Sequence, residues 1–247
     1  MEENMREEYL GGGITAFITP EHGFGTDAVL LADFAAPTPK NRCCDLGTGC
    51  GIIPLLWCRR PGIRVTGVDI QPLAVRQFAE AIEKNSLQER ASAVECDLRE
   101  IRKSFANGSF DLVTMNPPYK AEGTGIISDT SADRIARHGT QCTFDDLCTA
   151  AAWLLNYSGR LCVCLRPERL CEMFCAMREN GIEPKRLRLV GKTSDSVPWL
   201  ALVEGRRGGK PGMTVEAQFA VYDGEEYSPA MKKIYGDYLF ENREVKP

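Results

Sequence analysis

Asn116-Pro117-Pro118-Tyr119 sets a carboxamide, two stiff residues and an aromatic ring in four consecutive positions. That combination suits chemistry at an amine conjugated to a ring or a carbonyl. Such a nitrogen has a delocalised lone pair and is a poor nucleophile. The side-chain oxygen of Asn116 and the carbonyl of Pro117 can accept hydrogen bonds from its two N–H groups. This favours a pyramidal nitrogen whose lone pair is directed at an electrophile. The prolines stiffen the loop that carries these acceptors. The ring of Tyr119 gives a planar substrate a face to stack on, worth about 1–3 kcal/mol per base. Transfer of a cationic methyl group acidifies the amine, so neither a metal nor a strong base is required. Positioning and electrostatics then supply most of the rate. The plainer alternative is a proline-rich turn with an incidental tyrosine.

A second group is Asp45-Leu46-Gly47-Thr48-Gly49-Cys50-Gly51. Glycines let the backbone pass close to a ligand. The spacing does not fit the dinucleotide fingerprint G-x-G-x-x-G/A, because the last small residue would fall on Ile52 or Pro54. Nor is there a phosphate loop ending in G-K-[ST]. D-x-G-x-G-x-G is the pattern of S-adenosylmethionine enzymes. There the Gly47, Thr48, Gly49 and Gly51 turn would pass under the methionine part and the ribose, and Asp45 would bear on the ligand's ammonium group. Asp69, with Ile70 after it, ends an apolar run about 20 residues further on, where a carboxylate can accept both ribose hydroxyls. Asp97 and Leu98 follow the next apolar run, where an acid commonly faces the cofactor's adenine amine. Asp69 could equally cap the helix after it, and Asp97 the short helix 98–105.

The elements that position these groups alternate. Strands are expected at 42–46, 64–70, 92–95, 110–115 and 160–165, with helices at 51–60, 72–86, 143–157 and 167–180. Thr143, with Asp146 three residues later, reads as a helix cap. Late strands are expected at RLRLVG and LALVEG, and VEAQFAVY could add another. Alternation of this kind gives an α/β fold, a mostly parallel sheet with helices on both faces. Ligands in such sheets sit beyond the carboxyl ends of the strands, at the point where strand order reverses. The motifs above all follow strands.

Composition sets broad limits. The chain has 247 residues and a net charge of -4, enough for one domain of ordinary size. Residues 159–212 carry eleven Lys and Arg against six Asp and Glu, whereas the first 158 carry fifteen against twenty-one. A local basic face is compatible with a phosphate backbone. The eleven cysteines include Cys162 and Cys164 inside an apolar run, and paired C-x-x-C knuckles are absent. Buried free thiols of a reducing compartment are expected, not zinc or any other metal. The acidic, polar opening lacks a signal-peptide core, and no apolar run approaches about 18 residues. A cytoplasmic protein without a membrane span is expected.

With these motifs in this order, the sequence resembles the N-P-P-Y class of methyltransferases. More narrowly, it resembles the tRNA adenine-N6 methyltransferases that modify the anticodon loop of a valine tRNA. The resemblance covers most of the chain: GFGTDAVLLA (23–32), the glycine loop, GVDIQ, NPPY, ARHG (136–139) and YSPAMKKIY (227–235). It implies a Rossmann-like class I methyltransferase fold with a mostly parallel seven-stranded sheet. Residues 1–40 would form an N-terminal extension, a strand and a helix packed on the core, and 41–247 the S-adenosylmethionine-dependent domain. It implies S-adenosyl-L-methionine as methyl donor, tRNA as partner, and a monomer or weak dimer. It also places Asp27 near the cofactor, although Thr26 and Asp27 read equally well as helix-start residues. The segment 120–142 reads as a flap over the substrate. Pro118, Arg134 and Arg137 are candidates for meeting substrate there, and His138 could act as a base but is not needed. GRRGGKPG (205–212) reads as a flexible basic loop whose Arg206, Arg207 and Lys210 could contact the backbone. Three such contacts would give a salt slope of roughly -2 to -3. The N-P-P-Y motif also serves glutamine-amide methylation of release factors, by enzymes with a sizeable helical domain before the glycine loop. It serves DNA adenine methylation too, usually with a target-recognition insertion. RNA loops already present unstacked bases. A non-catalytic RNA-binding module is the alternative from another class.

Overall fold

The computed structural model describes residues 5–19, 23–117 and 142–238. The chain opens with a hairpin, β1 (Arg6–Gly11) and β2 (Ile14–Ile18), followed by α1 (Thr26–Ala35). Then come β3 (Arg42–Leu46), α2 (Ile52–Cys58), β4 (Arg64–Asp69), α3 (Pro72–Lys84) and β5 (Ala91–Glu95). A 3-10 turn (Leu98–Glu100) leads into α4 (Ile101–Ser104) and β6 (Phe110–Met115). The remainder is α5 (Phe144–Leu154), β7 (Leu155–Leu165), α6 (Leu170–Glu179), β8 (Ile182–Gly191), β9 (Leu200–Arg207), four two-residue strands β10 to β13 between Thr214 and Tyr227, and α7 (Pro229–Tyr235).

The expected strands and helices are present with shifted ends. The largest shift is in β7, which begins five residues before the expected 160 because Phe110 pairs with Leu155 across a bulge. The late run expected at 215–222 is broken. Only Thr214–Val215 and Phe219–Ala220 pair with β8, extending one edge of the sheet. The N-terminal extension contains a two-stranded hairpin where one strand was expected. The hairpin's Leu10 and Ala16 and α1's Leu31 and Phe34 lie in the same apolar cluster as Leu112 of β6 and Cys162 of β7.

The main sheet runs β10-β8-β9-β7-β6-β3-β4-β5, with β11 beside β8. Strands β3 to β7 are parallel to their neighbours among them, and β9 is antiparallel to both β7 and β8. Because both faces are covered, the central strands are apolar at most of their positions. Cys43, Leu112 and Cys162 point to the cluster under α1, α2 and α3, while Cys44, Val113 and Leu161 point to the one under α5 and α6. None of the eleven cysteines is joined in a disulfide, and only Cys171 and Cys175 are exposed. From β3 the chain winds outward through β4 and β5, then returns to the other side of β3 as β6. The order therefore reverses between β3 and β6. The glycine loop follows one of these strands and Asn116 the other.

Candidate active site

The glycine loop is held open by its backbone. Gly47, Gly49 and Gly51 have φ of +62°, +55° and +79°, the left-handed region that side chains disfavour. The three glycines also differ in surroundings. A Cβ at Gly49 would meet nothing within 4 Å, so the loop leaves room above it. A Cβ at Gly51 would lie 2.1 Å from the ring of Phe78 on α3, and one at Gly67 in β4 would lie 2.6 Å from the same ring. Phe78 thus fills the space of two missing side chains and presses the loop, β4 and α3 together.

Three carboxylates face this edge, and each is held by neutral donors. Asp45, at the end of β3, is only 2% exposed. It accepts from the Thr48 hydroxyl at 2.8 Å and the Thr114 hydroxyl at 2.6 Å. Burial pushes its carboxyl up to about 7, against the pull of those two hydroxyls, and the nearby Asp69 adds to the rise. Asp69, at the end of β4, accepts from the Gly49 amide at 2.8 Å and the Gln71 amide at 3.0 Å. It ties the glycine loop to β4. It does not cap α3, whose cap residue Gln71 makes no side-chain cap bond. Asp27 of α1 accepts from the Nδ2 of Asn116 at 3.0 Å. It is not a helix cap either, since Gly25 holds that place without a side-chain bond. Among the described residues, no Lys or Arg pairs with Asp27, Asp45 or Asp69.

Asn116 is half-buried at the carboxyl end of β6, and Pro117 beside it is buried. The thiol of Cys164, in β7, donates to Asn116 Oδ1 at 3.0 Å. Asp97 ends the loop after β5. It accepts from the Arg99 amide at 2.9 Å and pairs with the Arg99 guanidinium at 2.5 Å, which holds its carboxyl below the usual carboxylate range. Of its two expected roles, the cap of the 3-10 turn is the one these bonds perform. Ile70 is 44% exposed directly after Asp69, and Leu98 is half-buried beside Asp97. Each leaves apolar surface beside its acid.

The donor set fits an S-adenosylmethionine cofactor, a cation with a ribose and an adenine. Carboxylates lacking a partner cation suit its charge and hydroxyls, and the turn over Gly49 leaves backbone room. The exposed Ile70 suits an apolar ring. Asp45, Gly47, Thr48, Gly49, Gly51 and Asp69 are brought together with Asn116 and Asp27. Pro118, Tyr119, Arg134, Arg137 and His138, with all of the expected flap but Cys142, lie outside the described residues.

The basic segment 205–212 departs from its expected form. Residues 205–207 belong to β9 and are not a loop. Arg206 pairs in register with Arg160, at the entering end of the parallel strands, whereas Asn116 lies beyond their leaving end. Antiparallel β9 turns this segment to the opposite edge of the sheet. The Arg207 guanidinium donates to the Leu155 carbonyl, and the Lys210 carbonyl accepts from Lys185 at 3.0 Å. Arg206, Arg207 and Lys210 are therefore not brought together with Asn116. Sequence reasoning missed Thr114, Cys164 and Phe78. The signals for them were weak: a polar residue two before the motif, a thiol in an apolar strand, and an aromatic on the inner face of α3.

Comparison with known proteins identifies the family and the fold. The methyltransferase small domain family matches residues 17–173. A relative named tRNA1(Val) (adenine(37)-N6)-methyltransferase, from Parabacteroides distasonis, is 30% identical over 180 residues, covering 73% of this chain and 75% of the relative. One of the same name from Tolumonas auensis is 28% identical over 208 residues, covering 83% and 84%. Among solved structures, a predicted O-methyltransferase from Agrobacterium tumefaciens superposes with a TM-score of 0.69 at 19% identity, covering 85% of this chain and 95% of the other. That likeness concerns the fold, a class I methyltransferase sheet flanked by helices. With its switch-point glycine turn and a match running from the hairpin into α6, the chain belongs to the methyltransferase small domain family.

Proposed function

We propose that this chain transfers a methyl group from S-adenosyl-L-methionine to an exocyclic amine, the N6 of an adenine in tRNA. The observation that carries the reading is the position of Asn116. It stands at the carboxyl end of β6, next to the glycine loop across the switch point, with its amide held by Asp27. Adenine-N6 methylation of tRNA is what the relatives' names state, and it supports choosing adenine and tRNA within the amine class. A tRNA substrate also favours the cytoplasm; among the described residues no helix is long and apolar enough to cross a membrane.

S-adenosyl-L-methionine would supply an electrophilic methyl. Asp45, Asp69, Thr48 and the turn of Gly47, Gly49 and Gly51 would hold it, with Ile70 against its adenine and Asp97 and Leu98 at the far side. Asn116 Oδ1 and the Pro117 carbonyl would accept the two N–H groups of the substrate amine, favouring a pyramidal nitrogen. Tyr119 would stack on the base. The amine becomes a stronger acid as it acquires the methyl group, so its proton can leave to water. This arrangement relies on orientation and fixed dipoles, not on a base.

The test is methyl transfer to bulk tRNA with labelled S-adenosylmethionine, followed by nucleoside mass spectrometry. N6-methyladenosine should appear with the parent protein and fall by about 100-fold or more with Asn116→Ala, as expected for loss of a polar group acting in the transition state. Site mapping should begin at position 37, the position in the relatives' names. Methylation of another nucleoside, or an undiminished rate in Asn116→Ala, would remove the reading.

A further inference from the structure

An amine clamp needs the oxygen of Asn116 turned to the substrate. The two ends of a carboxamide are nearly alike in size, so packing alone chooses poorly between them. Charge chooses better. A carboxylate only accepts, and Asp27 Oδ2 takes a hydrogen from Asn116 Nδ2 at 3.0 Å. On the other side the Cys164 thiol donates to Asn116 Oδ1 at 3.0 Å. Both bonds agree on one orientation.

A separate observation concerns Gly25. Its φ is -119°, a conformation open to any residue, so backbone freedom does not explain a glycine there. Space does. A Cβ at Gly25 would lie 2.6 Å from Asp27 Oδ1. The carboxylate is seated between the Gly25 backbone on one oxygen and the Asn116 amide on the other. The start of α1 is fixed in turn by Thr26, whose hydroxyl lies 3.2 Å from that of Tyr235 on α7.

We infer that Asp27 is a positioning residue that fixes the Asn116 amide with its oxygen toward the incoming amine, and that Gly25 leaves the room this requires. This rests on the reading of Asn116 as the clamp. It differs from a cofactor-holding role for Asp27, since the contact is with Asn116 and not with the glycine loop.

The experiment compares Asp27→Ala, Gly25→Ala, Asn116→Ala and the Asp27→Ala/Asn116→Ala pair in steady-state transfer to tRNA. S-adenosylhomocysteine affinity is measured by calorimetry on each. Asp27→Ala should lower kcat by about 10–100-fold, the range for a hydrogen bond to a charged group, with cofactor affinity within about twofold of the parent. Gly25→Ala, whose backbone tolerates alanine, should reproduce the kcat loss with the carboxylate still present. In the Asn116→Ala background, whose residual rate is followed with trace label, Asp27→Ala should cost nothing further. Lost cofactor affinity with kcat retained would make Asp27 a cofactor ligand and overturn the inference. So would parent-like kcat in both single variants, or an independent further loss in the pair. Parent-like activity in Asn116→Ala would instead remove the clamp itself, a separate failure.

Discussion

Glu204 in β9 and Asp45 in β3 are both buried carboxylates in the same sheet, and they are matched in opposite ways. Glu204 meets two guanidinium groups, Arg186 at 2.7 Å and Arg160 at 3.1 Å. Arg186 also bonds the Phe34 carbonyl at 2.8 Å, stacks 3.8 Å over the Phe34 ring and pairs with Glu216. Every charge there has an opposite beside it. Asp45 has two hydroxyls for partners and a second carboxylate, Asp69, nearby. The first arrangement is complete and ties β8, β9, β7 and α1 together. The second is incomplete by one positive charge. Buried carboxylates read as ligand-seeking when their partners are neutral, and as structural when they are not.

The sharpest test of this contrast removes Glu204. Glu204→Ala strands Arg160 and Arg186, and should destabilise the fold by about 3–5 kcal/mol, the usual range for breaking a buried pair. Chemical denaturation measures it. The surviving folded protein should keep parent-like cofactor affinity; a selective loss of affinity would erase the distinction.

Asp45→Asn should do the reverse. It removes a charge that burial disfavours, so the fold should be as stable as the parent near neutral pH, or more so, while cofactor affinity falls by at least about tenfold. The pH dependence follows from the same residue. Its carboxyl is near 7 in the fold and 3.8 in the reference state. Between those values the folded form keeps a proton that the unfolded chain has released. Asp45's contribution therefore lowers stability as pH rises from about 4 to about 7. Melting curves of Asp45→Asn should show less of that fall. A cationic ligand favours the ionised carboxylate, so cofactor affinity should rise with pH through about 7 and be accompanied by proton release in calorimetry. A flat profile would separate Asp45 from the ligand.

The smallest effect is expected at the far edge of the sheet. Replacing Arg206 and Lys210 with alanine should change KM for tRNA by less than about threefold, because exposed single charges contribute little when screened. A larger change, with a salt slope reduced by about 2, would mean that the RNA reaches round to that edge.

The sheet was legible because each central strand is a short apolar run bounded by turns. The glycine loop and Asn116 were legible because their chemistry constrains neighbouring residues in the chain. Thr114, Cys164 and Glu204 were not, since their partners come from other strands and a single sequence carries no register. The placement of Arg206 illustrates the cost. Counting positive charges found the cluster, but only the antiparallel pairing of β9 with β7 determines which edge it faces. The split of the 215–222 run has a similar origin, in which two short pieces find separate sites along β8.

Phe78 carries one more consequence. Its ring occupies ground that side chains at 51 and 67 would otherwise claim, so the residue at 78 is tied to the glycines at both. A substitution at any one of them alone meets either a collision or a hole. Alanine at 67 would need both a smaller residue at 78 and a shift of the Thr48 hydroxyl, which a Cβ there would meet at 2.8 Å, whereas Gly51 stays fixed by its positive φ as well. Protein engineers recutting this corner of the fold should therefore exchange positions 67 and 78 together and leave Gly51 in place, treating a strand and a helix as one heritable unit.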